Sequence, residues 1–210
     1  MDIDYWNNYY KIGNVISEPS SFAEFCLNEF MPDGARIIEL GSGNGRDSLY
    51  FARHGFDVIA IDQSHSACLY SQEQADKNSL DRLKFIESDF TNNNFDEHSI
   101  VDVFYSRFTM HSITFEQQNR LLKNVHGKLH KGGLFFIEAR TIHDPLCGVG
   151  TDIEDFQFVT DHYRRFIDSD QFVKQCLDLG FKLKFMIEKD GLSVVKDDNP
   201  VLLRLVLSTD

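Results

Sequence analysis

Basic residues are scarce. Lysine and arginine number 21 against 33 aspartates and glutamates, a formal net charge of -12. A surface of that sign repels phosphate backbones and anionic headgroups, so neither nucleic acid nor a membrane is expected as a partner. Long apolar runs are missing, and none approaches the roughly 20 residues of a membrane span. The opening Met1-Asp2-Ile3-Asp4-Tyr5-Trp6 has neither the basic nor the apolar region of a signal peptide. Cysteine is sparse: Cys26, Cys68, Cys147 and Cys176 lack metal-ligand spacing. Reduced thiols in a cytoplasmic protein without a metal site are expected. There is no internal repeat and no low-complexity segment.

What is present is ordinary for a globular chain, with 42% hydrophobic and 26% charged residues. A length of 210 predicts one domain over residues 1–210 with a full core. The 19 phenylalanines suit a packed core and an aromatic-lined pocket.

One stretch organises the rest. Arg36-Ile37-Ile38-Glu39-Leu40 is a short, mostly apolar run leading straight into Gly41-Ser42-Gly43-Asn44-Gly45, and a helix-like segment follows. That pattern predicts a buried strand, a tight turn and a helix start. Gly41 can take dihedrals closed to other residues. Gly43 and Gly45 lack a Cβ, so a ligand can approach the backbone where helix-opening N–H groups face it. The spacing is Gly-x-Gly-x-Gly, not the Gly-x-Gly-x-x-Gly of dinucleotide folds. Taken alone, it fits a loop with no ligand or one for a different nucleotide.

The flanking pattern is more specific. Residues 56–62, 82–90, 100–105 and 134–139 read as further strands, separated by helices over about 44–54, 64–77 and 114–128. Gly55 stops the first of these helices. Thr114-Phe115-Glu116-Gln117 opens the last with a capping box. Ser17 or Glu18 with Pro19 starts an earlier helix through Phe30. Alternation of this kind gives an α/β fold with a parallel sheet, and its ligand lies outside the carboxyl ends of the strands. Asp62 ends the second strand about 20 residues past the glycines, where a carboxylate can accept ribose hydroxyls. It could instead cap the next helix. Residues 140–166 show no clear period and are expected to be a substrate-side insertion. A helix over 169–179 and strands over 181–188 and 201–208 complete the chain.

Glu39-Leu40-Gly41-Ser42-Gly43-Asn44-Gly45 resembles motif I of class I S-adenosylmethionine-dependent methyltransferases. Residues 43–48 and 55–64 are similar to the branch holding tellurite-resistance and thiopurine-type enzymes. The resemblance implies a Rossmann-like, seven-stranded, mostly parallel sheet with helices on both faces and a C-terminal antiparallel strand pair. It implies S-adenosylmethionine as cofactor, held by Glu39, Gly41, Ser42, Gly43, Asn44, Asp62, Gln63 and Ser106. It also implies that Asp89 meets the adenine amino group and Phe90 lies near the ring. DNA amino-methyltransferases are not matched, because Tyr105-Ser106-Arg107-Phe108 stands where they carry Asn/Asp-Pro-Pro-Tyr/Phe.

Methyl transfer from a sulfonium is an in-line displacement in which the protein mainly positions the acceptor. His111 is a candidate general base, and Arg140 is the second candidate in the chemistry. The acceptor side is expected to use Arg107, His143, Tyr163, Arg164 and Arg165, because arginine forks bind carboxylate or phosphate. Salt bridges to Asp152, Glu154, Asp155 or Asp161 are the competing use of those arginines. Residues 1–30 read as a helical cap. Trp6, Tyr9 and Tyr10 either pin a short helix to the core or close over the cofactor, with Trp6 and Tyr10 touching it. The expected activity is methylation of a small, anionic O-, N- or S-acceptor in the cytoplasm. A non-catalytic S-adenosylmethionine-binding regulatory or scaffold module is the alternative. The oligomeric state stays open.

Overall fold

A computed structural model describes residues 3–11, 18–95 and 101–209. Seven strands form one sheet: β1 (Arg36–Leu40), β2 (Asp57–Asp62), β3 (Leu83–Glu87), β4 (Val101–Arg107), β5 (Leu129–Arg140), β9 (Lys182–Lys189) and β10 (Leu202–Ser208). Their spatial order is β3-β2-β1-β4-β5-β10-β9. The β3 to β5 half is parallel, and β10 runs antiparallel between β5 and β9. Strand order reverses between β1 and β4, and the crevice at that switch point is where such sheets bind ligands.

Both faces of the inner strands β1, β4 and β10 are buried, which explains their near-continuous apolar runs, while the edge strands β3 and β9 are partly exposed. On one face α2 (Ser21–Glu29), α3 (Arg46–Arg53) and α4 (His65–Lys77) contribute Phe22, Phe51 and Ala75 to a core with Ile37, Tyr105 and Val206. On the other, α5 (Phe115–Lys128) and α6 (Ser169–Asp178) pack Leu121, Val125 and Phe172 on Ile38, Phe104 and Leu205. The expected α/β sheet, its helices on both faces and its antiparallel end are all present.

Local signals set most boundaries. Thr114 and Gln117 form both halves of the capping box that opens α5. Gly55 takes φ 86° just past α3. The start of α2 lies later than its expected position at Ser17 or Glu18: Ser20 is the cap, its hydroxyl accepting from the Ala23 N–H. Ser17 itself, and the lead into β4 at residues 96–100, lie outside the described residues.

Residues 140–166 depart most from expectation. They carry a separate three-stranded antiparallel sheet of β6 (Thr151–Glu154), β7 (Gln157–Val159) and β8 (Tyr163–Arg165). The strands are three or four residues long, and β6 is exposed throughout, so no alternation marks them. At the amino end, α1 (Ile3–Lys11) is a helix.

Candidate active site

The glycine loop is tied down by its neighbours. The Gly41 and Ser42 N–H groups donate to the Ile61 carbonyl at 2.7 and 3.1 Å, bonding the loop to the end of β2. Gly43 N–H donates to Asp62 Oδ2 at 2.8 Å, while Asp62 Oδ1 accepts from Ser64 N–H at 2.8 Å. Burial pushes the Asp62 carboxyl up from its usual range, and these backbone donors oppose that. Ser64, not Asp62, caps α4.

Two of the glycines are required by contact as well as by backbone. Gly41 has φ 73°, and a Cβ there would lie 2.3 Å from the Thr109 methyl. Gly43 has φ 54°, and a Cβ would lie 2.2 Å from the Tyr10 hydroxyl. Space over Gly43 is therefore shared with α1. At Gly45 the place of the Cβ faces Phe85 and Ser71, so its openness serves helix packing rather than ligand approach.

A cavity of about 380 Å³ opens at these strand ends, within the ~300–1,000 Å³ typical of small-molecule sites. Gly41, Ser42, Gly43, Asn44, Glu39, Asp62 and Phe90 line one end. Burial and nearby Asp47 hold the Glu39 carboxyl well above its ordinary range, and it accepts a short hydrogen bond from Ser48. The aromatic helix forms a wall through Tyr5, Trp6, Tyr9 and Tyr10. Two bonds tie it to different elements: Ser64 Oγ donates to Asn7 at 2.8 Å, and Tyr5 donates to Asp161 at 2.9 Å. Tyr5 and Trp6 also pack on the His162 ring, with centroids 4.3 and 5.2 Å away. Helix α1 thus bridges the glycine loop and the small sheet.

The other end is lined by arginines, each paired with a carboxylate. Arg107, Arg140 and Arg164 line it with His111, Phe108 and Asp198. Arg107 is clamped by buried Glu138 at 3.0 Å, and Glu138 also accepts from Arg204 at 2.6 Å. Phe108 sits at φ 59°, unusual for a non-glycine and common at functional sites. The Arg107 guanidinium lies 4.2 Å from its ring centre. Arg164 donates to Thr160 at 2.6 Å and Asp161 at 3.2 Å, so the Asp161 salt bridge foreseen as its competing use does form.

His111 is placed differently from a general base. Its Nδ1 accepts the Arg140 backbone N–H at 3.2 Å. A neutral ring must then carry its proton on Nε2, leaving no lone pair to take another. Burial, with Arg140 and Arg164 nearby, drives its pKa well below the ordinary value. His111 is therefore a neutral hydrogen-bond donor.

Other expected site residues lie off the cavity. Arg165 is buried and donates to the Ile113 and Met110 carbonyls at 3.0 and 3.1 Å and to Gln118. It pins the segment after β4 instead of meeting an acceptor. Exposed His143 pairs with Glu188 at 2.7 Å, and Tyr163 donates to Gln157 at 2.7 Å. Ser106 bonds Thr109 beneath the floor. Asp89 holds its own turn through Thr91 and Asn92 and receives Gln63 at 3.3 Å, so Asp89 and Gln63 stand beside the lining rather than in it.

Several lining residues escaped the sequence. Arg46 and Asp47 directly follow the last glycine, a spacing that could have marked them; Asp47 accepts from Ser20 and from Tyr105 at 2.8 Å. The Arg46 Nε is buried without a hydrogen-bond partner and lies 3.7 Å from Asp47 Oδ1, so it is held by charge alone. Val195 and Asp198 come from the turn after β9, where no pattern singles them out. Among the described residues no cluster of three metal-ligating side chains is present, and no helix is long and apolar enough to cross a membrane.

Comparison with known proteins follows the same lines. Residues 37–133 match the model of a methyltransferase domain family. Cypemycin N-terminal methyltransferase from a Streptomyces species is 27% identical over 134 residues, which is 62% of this chain and 52% of that protein. The match thus spans about half of that relative's length. The glycopeptide N-methyltransferase MtfA, solved with S-adenosylmethionine, superposes with a TM-score of 0.71 at 16% identity, covering 92% of this chain and 95% of that one. A methyltransferase from Methanosarcina mazei gives 0.76 at 16% identity, covering 88% and 96%. Residues 37–133 thus match the methyltransferase domain model, and the fold is that of the solved methyltransferases.

Proposed function

We propose that this chain methylates a small acceptor carrying an anionic group, held at the arginine-lined end of the cavity by Arg140 and Arg164. One observation carries the reading: these guanidiniums line the same cavity as Asp62 and the glycine loop. When bound, the cofactor supplies an electrophilic methyl group. Asp62 and Glu39 would hold its ribose and methionine ends, and the acceptor's anionic group would set the nucleophile in line. His111 orients the acceptor by donating from Nε2 and takes no proton. This favours a nucleophile that arrives ready, such as a free amine or thiolate. Helix α1 and the small sheet exclude water from the transfer.

The test is a panel of carboxylated, phosphorylated and uncharged amines and thiols, scored by S-adenosylhomocysteine release. Acidic acceptors are expected to react best, and Arg164→Ala should raise their KM with cofactor affinity unchanged. Uncharged acceptors reacting equally well in both proteins would overturn the reading. A peptide amino terminus is a second reading, supported by the relative named for N-terminal methylation and by the Asp198 carboxylate at the acceptor end. A short peptide panel separates the two. Cofactor binding with no turnover on any acceptor would favour a regulatory module.

A further inference from the structure

Arg140 holds two carboxylates, and they are not equivalent. Asp144 meets Nη1 with both oxygens, at 2.9 and 3.2 Å. Its side chain has no exposure, and it sits in the turn just after β5, accepting also from the Leu146 N–H. That partner has no route to water. Asp198 meets Nη2 through a short ion pair, and its side chain is 48% exposed. It belongs to the turn joining β9 to β10, held locally by mutual backbone bonds with Val195. Leaving Arg140 costs Asp198 little, because water can solvate it at once.

Charge makes this exchange necessary. One guanidinium already faces two carboxylates, a local excess of one negative charge. A further anion cannot reach Nη2 while Asp198 stays there, since like charges at contact repel strongly in a partly buried site. Yet Arg140 and Asp198 both line the cavity, and so does Val195. The occupied position already shows what Nη2 donates to, which is a single oxygen of a planar carboxylate. The same turn has two other ties near the site: Arg107 Nη2 donates to Ser193 and Arg204 Nη2 to the Leu192 carbonyl, both at 2.8 Å. Asn199, next to Asp198, also accepts from the Gly191 N–H at 2.8 Å, so the part of the turn free of such ties is residues 195–198.

We infer that Arg140 is the receptor for a carboxylate on the methyl acceptor, and that Asp198 is a built-in stand-in that the acceptor displaces. This rests on the anionic-acceptor reading and narrows it to carboxylic acids. Binding exchanges one carboxylate for another at Nη2 and carries Val195 and Asp198 away from the acceptor end. An uncharged or cationic compound leaves the pair closed and is not admitted by this route.

Benzoate and its neutral isostere benzamide are the probes, titrated calorimetrically into the full chain saturated with S-adenosylhomocysteine. Asp198→Asn keeps the shape and removes the competitor, and Asp197→Asn makes the same charge change one residue away. Benzoate is expected to bind Asp198→Asn about tenfold more tightly than wild type. Asp197→Asn should match wild type, and benzamide should not discriminate among the three. Arg140→Lys, which keeps the charge that buried Asp144 needs, should lose most of the benzoate affinity. Benzoate should also speed amide exchange of residues 190–200 in wild type and not in Asp198→Asn. Benzoate bound equally or more weakly by Asp198→Asn, with Arg140→Lys still impaired, would overturn the stand-in while sparing the anionic reading. No preference for benzoate over benzamide in any of the proteins would overturn both.

Discussion

The backbone N–H of Arg140 donates to Nδ1 of His111 at 3.2 Å, joining the end of β5 to the turn after β4. That bond fixes the tautomer of a buried, neutral imidazole, and it sets a sign for pH dependence. The folded-state pKa of His111 lies well below its ordinary value, which is near 6.5 in an unfolded chain. The unfolded state then binds the extra proton first. The stability contribution is complete above about pH 6.5 and is lost as pH falls below it, at up to about 1.4 kcal/mol per unit. His111→Gln should be less acid-sensitive than wild type in denaturant melts between about pH 6.5 and 5. Identical slopes would contradict the assignment.

Arg165 and Arg164 are neighbours in sequence with opposite expected phenotypes. Arg165 satisfies two carbonyls and Gln118 in a buried site. Arg165→Ala should cost about 3 kcal/mol of stability by leaving those acceptors unpaired. Arg164 is tied to half-exposed Asp161, so Arg164→Ala should change stability by less than about 1 kcal/mol and act on acceptor KM. Thermal melts of both variants distinguish them.

Gly43 and Tyr10 occupy one space. Gly43→Ala sets a Cβ 2.2 Å from the Tyr10 hydroxyl on a backbone with φ 54°, so α1 must move and cofactor affinity should fall about tenfold or more. Removing the phenol with Tyr10→Ala should relieve part of that loss. A double-mutant cycle on cofactor affinity should give a coupling of about 0.5–3 kcal/mol. Strict additivity would mean that the strain at Gly43 is all backbone.

Tyr5 and Asn7 anchor α1 to the small sheet and to Ser64. Deleting residues 1–11 should weaken cofactor binding about tenfold or more while leaving the melting temperature within a few degrees, because α1 adds nothing to either main core. Unchanged affinity would make these aromatics packing alone.

The legible parts of this chain were those with a local physical cause. Ile37, Ile38 and Leu40 before three glycines, and Thr114 three residues before Gln117, each mark an element by short-range rules. The spacing from Gly43 to Asp62 placed both at the carboxyl ends of neighbouring strands, where they are hydrogen-bonded. Long-range partners left no such trace. Arg165 looks like a surface fork until Met110 and Ile113 are folded beside it. Asp198 lies 58 residues from Arg140, in a polar turn that resembles any other. Strands β6 to β8 are too short and too exposed for alternation to show. His111 is a plausible base by residue type, and only the Arg140 N–H shows that its accepting nitrogen is taken.

The central claim is that the glycine loop and Asp62 form the cofactor cradle. Calorimetric titration with S-adenosylmethionine and S-adenosylhomocysteine, on wild type and on Asp62→Ala, tests it most directly. Asp62 accepts N–H groups from Gly43 and Ser64, so its loss loosens the loop and, on the proposed reading, removes the ribose acceptor. Clear binding by wild type and a loss of about a hundredfold or more in the variant are expected. Binding that survives in Asp62→Ala with unchanged affinity, or no binding by wild type, would contradict the account.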